Sequence, residues 1–149
     1  MKETQDPYNL QRFIGAQDGF YKQALKEIRD GRKMSHWIWF IFPQMAGLGH
    51  SCMSEHYGIS SLDEARAYLE HPILRKRLVE ITEALLAHSR KRLFHSPKTA
   101  FEILGTIDAI KVRSCMTLFD VVEPNGIFVE VLNAFYDGER DQLTLNMLS

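Results

Sequence analysis

Cys52 and Cys115 are the only cysteines in 149 residues. A secreted domain of this size could use one disulfide, but nothing else suggests export, so reduced cysteines and a cytoplasmic location are the simpler expectation. An excess of either charge is also missing. The 18 Lys and Arg stand against 19 Asp and Glu, giving a formal net charge of −1. That argues against a nucleic-acid binder working through a broad basic surface, but leaves room for a small basic pocket. Long apolar runs are absent: the longest, Trp37 to Phe42, falls far short of the about 20 residues needed to cross a bilayer. Met1 to Asp6 are polar, without the apolar centre of a secretory signal. No linker, repeat or low-complexity tract interrupts the chain. A single domain over 1–149 is expected, with about 1–5 frayed.

What the chain does have is helical periodicity. Asp6-Pro7 pairs a side-chain acceptor with proline at a first helical position. Leu10, Phe13, Phe20, Ala24, Leu25 and Ile28 follow on one face, up to a stop at Gly31. Ser35 is placed to cap a short helix through Trp37–Ile41, ended by Pro43. A strand is the competing reading there, because Trp, Ile and Phe favour strands. Residues 44–60 read as an irregular loop, a type often functional. Ser61 and Glu64 have capping-box spacing. His71-Pro72 opens a helix with Leu74, Leu78, Ile81, Leu85 and Leu86 as its stripe. Ser96-Pro97 opens a short helix ending near Gly105, and Thr106 or Asp108 begins one carrying Ile107, Ile110, Met116 and Leu118. Asn125-Gly126 separates it from a helix through Phe128, Val131, Leu132 and Phe135, closed by Asp137-Gly138. Asp141 to Leu148 makes a last amphipathic turn or two. The expectation is an all-α fold of about seven or eight helices.

Four constellations could carry chemistry. The first is His36-Trp37-Ile38-Trp39-Phe40-Ile41-Phe42-Pro43-Gln44, apolar nearly all round as a helix and so a core segment. One indole could also face a cavity as a wall for a planar ligand. The second is the loop Gly47-Leu48-Gly49-His50-Ser51 with Ser54 and Tyr57. Its glycines let backbone approach an anion, or merely permit a tight bend; it is neither a dinucleotide fingerprint nor a P-loop. The third, His50, Cys52 and His56, offers ligand types suited to zinc or copper at a spacing that matches no common site, so no metal and no cofactor is expected. In the fourth, Asp108, Lys111 and Ser114 share a helical stripe. They read as an activated hydroxyl or as a solvated salt bridge. Arg12 and Gln17 on the first helix are either surface residues or reach into a shared polar pocket. Glu27, Asp30, Glu64 and Glu102 read as surface or capping groups. No nucleophile-elbow pattern occurs.

The run from His36 to Ser51, preceded by Arg12–Gln17, Tyr21 and Gly31, and followed by Tyr57-Gly58-Ile59, His71-Pro72, Gly105, Asp108, Lys111 and Ser114–Phe119, resembles the domain of unknown function 1810 family. The resemblance spans nearly the whole chain. It implies a small all-helical protein of a bacterial and fungal family without established activity. Some members are labelled calpastatin, a long disordered inhibitor, whereas this composition calls for a compact core. The chain departs from the family pattern at Cys115, where the resemblance implies a second serine.

The leading expectation is therefore a pocket for a small anionic or nucleotide-like ligand. Trp37 or Trp39 would supply a wall, His36 and Gln44 hydrogen bonds, Gly47, Gly49 and Ser51 an anion-facing backbone, and Arg12 or Lys111 a neutralising charge. Gln17, Tyr57 and Ser114 complete the candidate lining. If a reaction follows, His36 is suited to proton transfer near neutral pH with Asp108 as partner or alternative base, in a hydrolysis of a nucleotide-derived substrate. The alternatives are a non-catalytic interaction module anchored by the Trp/Phe segment with Met45, Met53 and Met116, and a scaffold whose aromatic run is only core. Oligomeric state stays open.

Overall fold

Asp6 does open the first turn: its carboxylate accepts from the N–H groups of Leu10 and Gln11 at 2.8 and 3.0 Å. In the computed structural model, which describes residues 5–91 and 93–149, regular helix begins with α1 (Gln11–Asp18). The expected fraying at the N-terminus falls mostly on residues 1–4, outside the described residues. The chain pauses at Gly19-Phe20 and resumes as α2 (Tyr21–Asp30), which ends on Gly31 in the left-handed conformation, φ 82°. After α3 (Ile38–Ile41) comes α4 (Cys52–His56), where the Ser51 hydroxyl accepts from the Ser54 N–H.

The other elements are α5 (Leu62–Glu70), α6 (Pro72–Ala87), α7 (Ala100–Leu104), α8 (Thr106–Val122), α9 (Ile127–Tyr136) and α10 (Gln142–Leu148). The described residues thus form ten α-helices and no strand, against the seven or eight expected. The first expected helix is two, broken at Gly19-Phe20, where the Phe20 N–H closes only a short turn onto the Gln17 carbonyl, and one turn forms inside the stretch read as loop. The competing strand at 37–41 is a single helical turn.

Local signals set several boundaries. Ser61 accepts from the Glu64 N–H, but the Glu64 carboxylate turns to the N–H and hydroxyl of Ser60 instead of closing the box. The complete capping box is at Thr99 and Glu102. Ser35 does not cap α3; its hydroxyl donates to Glu27.

One apolar cluster draws on α1, α2, α3, α5, α6, α7, α8 and α9. α8 sits at its centre, touching α5, α7, α9 and α10, and its residues 114–120 are all buried. Its stripe runs through Ala109, Val112, Met116 and Phe119, while Ile107 and Ile110 face out. The ends of the 44–60 stretch are pinned by one parallel bridge. Ile59 N–H donates to the Gln44 carbonyl and Ala46 N–H to the Ile59 carbonyl, both at 2.9 Å. No described helix is long and apolar enough to cross a membrane.

Candidate functional site

The aromatic run divides at its two indoles. Trp37 is wholly buried, and its Nε1–H donates to Glu27 Oε1 at 3.0 Å. Glu27, read from sequence as a surface or capping carboxylate, is only 4% exposed. It also accepts from the N–H groups of Met34 and Ser35, from the Ser35 hydroxyl and from the Gln23 amide. Burial alone would push its carboxyl up, but the bonds from Ser35, Gln23 and Met34 outweigh that and hold it at about 2. This hub folds the chain between α2 and α3 back on itself.

Trp39 has the opposite fate. It is partly exposed, and its Nε1 is buried with no partner among the described residues. Lys111 Nζ lies 5.3 Å from the centre of its ring, a cation–π distance. Together they wall a crevice lined also by Gln44, Ser54, Tyr57 and Gly58, with Ile38 and Phe42 at its base. The crevice is narrow, about 10 Å³ in volume. That is room for roughly one water molecule. Its cationic and indole donors face no carboxylate, although Gln44, Ser54 and Tyr57 can accept as well as donate. Among the described residues three other buried polar atoms lack partners, on Thr82, Arg113 and Asp120, and none of those residues lines the crevice.

Two glycines permit this packing. A Cβ on Gly58 would stand 2.6 Å from Ala46 Cα, and one on Gly49 would stand 2.4 Å from Ser54 Oγ. Only a residue without a side chain lets the chain at Gly58 approach the Ala46 backbone, and at Gly49 the Ser54 side chain, so closely.

Among the expected site residues, the structure brings Trp39, Gln44, Tyr57 and Lys111 together at the crevice. Phe42 of the aromatic run, Ser54 of the glycine-loop constellation and Gly58 join them, although none of the three was singled out as a site residue. Arg12 is fully occupied elsewhere. Its guanidinium pairs with Glu64 at 2.6 Å and donates to the carbonyls of Tyr8, Asn9, His56 and Gly58. Gln17 is buried between the Phe40 carbonyl and the Tyr68 hydroxyl. The expected Asp108–Lys111–Ser114 stripe disperses. Asp108 pairs with Lys33 at 2.8 Å, Lys111 goes to Trp39, and buried Ser114 donates back to the Ile110 carbonyl.

His36 is exposed, and no hydrogen bond joins it to Asp108 among the described residues. Gly47 is exposed at φ 95°, Gly49 packs on Ser54, and the Ser51 hydroxyl is used as the α4 cap. The anchor surface considered for an interaction module is not presented as one patch: Met45 and Met116 are buried, leaving Met53. Among the described residues no group of three or more His, Cys, Asp or Glu side chains could hold a metal ion.

Residues 7–148 match the family described as Protein of unknown function (DUF1810). No curated protein is similar to the chain. Among solved structures it is similar to the 1.38 Å crystal structure of the conserved hypothetical protein Rv1873 from Mycobacterium tuberculosis. The two share 42% identity over 96% of this chain and 98% of that one, with a TM-score of 0.88.

Proposed function

We propose that this chain, which belongs to the DUF1810 family of proteins of unknown function, binds a small anionic ligand at the Trp39–Lys111 crevice. The observation that carries the reading is a buried indole N–H without an acceptor among the described residues, beside a lysine ammonium. The Gln44 amide and Ser54 hydroxyl share the lining with no carboxylate. An unpaired buried donor costs about 1–3 kcal/mol, and an oxyanion supplies the missing acceptor. The crevice admits one water-sized group, so a single oxyanion oxygen would enter it. The rest of the ligand, including the base of a nucleotide-like one, would stay at the mouth. The proposal is for binding. Asp108 is already committed to Lys33 and His36 stands alone, so neither supports a reaction. A cytoplasmic setting belongs to the same proposal, supported by two free cysteines, Cys115 among them buried in the core.

The test is a thermal-shift screen of carboxylates, phosphates and nucleotides on the wild type and on Lys111→Gln. Specific binding raises stability by RT ln(1 + [L]/Kd), about 2.7 kcal/mol at a hundredfold excess over Kd. The expected outcome is at least one anion that stabilises the wild type and not the variant. Equal stabilisation of both by every active anion would refute the reading.

A further inference from the structure

A second cavity, of about 190 Å³, opens where the C-terminal ends of α2 and α6 meet the segment around residues 95–98. Arg29, His88, Arg90, His95 and Lys98 line it, with Asp30 as its one carboxylate. Helix C-termini attract cations, and that accounts for two of these groups. His88 Nε2 lies against the Ile28 carbonyl, which can only accept, so that nitrogen carries the proton. Lys98 Nζ donates to the Gly31 carbonyl at 3.2 Å. Asp30 is held by Lys26 at 2.7 Å. Arg29, Arg90 and His95 remain, with no side-chain partner among the described residues. Two guanidinium groups on one open cavity leave charged donors there without an acceptor among the described residues, and a tetrahedral oxyanion supplies one. We infer that this cavity is a binding site for a phosphate-type oxyanion, separate from the Trp39 crevice, with Arg29 and Arg90 as its principal ligands. Planar guanidinium donors match phosphate oxygens in charge and spacing.

The test is isothermal titration at constant ionic strength with inorganic phosphate and with glycerol 3-phosphate as a phosphomonoester. The proteins are the wild type, Arg29→Gln, Arg90→Gln and Lys111→Gln. Both arginines are exposed, so their variants should keep the native circular dichroism. Saturable binding is expected for the wild type. It should weaken about tenfold or more in each arginine variant, the loss of one charge-assisted contact, and stay unchanged in Lys111→Gln. Preference for the phosphomonoester would assign the site to phosphorylated metabolites, and equal affinity to phosphate itself; both support the site. Absence of saturable binding by the wild type, or full binding by both Arg29→Gln and Arg90→Gln, would overturn it. So would loss confined to Lys111→Gln, which would place phosphate in the crevice instead.

Discussion

Trp37 and Trp39 are two residues apart and have opposite surroundings. The Trp37 indole N–H meets a buried carboxylate that also gathers Gln23, Met34 and Ser35. The Trp39 indole N–H has no partner among the described residues, although its ring walls a crevice beside a lysine. One region is closed in hydrogen bonding and holds the fold together. The other is open and has donors to spare. Buried polar groups in folded proteins are nearly always paired, so an unpaired one beside a cation marks where an outside acceptor would be accommodated.

The sharpest way to break this contrast is to remove its closed half. Glu27→Ala leaves the buried Trp37 N–H and two part-buried backbone N–H groups without their acceptor, and should cost about 2–4 kcal/mol in urea unfolding. A loss below about 1 kcal/mol would mean the hub is ornamental. Acid should act on the same group. The Glu27 carboxyl is held down at about 2 in the folded protein, from an ordinary 4.5. The unfolded chain therefore takes up its proton first as pH falls. The stability Glu27 contributes is fully present above about pH 4.5 and is lost as pH falls toward 2, by about 3 kcal/mol in all. Unfolding curves of Glu27→Gln should lack that part of the slope.

The two indoles then provide a matched pair. Trp37→Phe should cost about 2–3 kcal/mol, through a cavity and a lost bond to Glu27. Trp39→Phe should change stability by less than about 1 kcal/mol, since the lost cation–π contact is offset by removal of an unpaired donor. Equal losses would erase the distinction. The smallest effect on stability is expected of Lys111→Gln, within about 1 kcal/mol by denaturant titration, because its ring contact lies at the surface.

Much of the helical framework was legible in the sequence, because its signals are local. Gly31 ends α2 in the left-handed conformation, Pro72 opens α6 and Asp141 caps α10. The stripe Leu74, Leu78, Ile81, Leu85 and Leu86 is buried throughout. The break at Gly19 and the turn of α4 were not legible, since neither interrupts nor creates a clear apolar period.

The site was legible in part. Trp39, Gln44, Tyr57 and Lys111 could be singled out by residue type, but their meeting depends on how α8 packs against the 38–58 segment. Arg12 and Asp108 looked equally available and are not. Their partners, Glu64 and Lys33, lie far along the chain, and helical spacing within one element carries no information about them. Glu27 was misread for a related reason. A carboxylate on an otherwise polar helix face looks solvated until the following loop turns back over it.

The two tryptophans give two indole N–H signals in a ¹H–¹⁵N correlation spectrum, assignable by Trp39→Phe. The most direct measurement is to titrate small carboxylates and phosphates at constant ionic strength while following both. Binding at the crevice predicts a saturable downfield shift of the Trp39 signal with the Trp37 signal fixed, and loss of that response in Lys111→Gln. A Trp39 signal that stays in place across the whole series would contradict it.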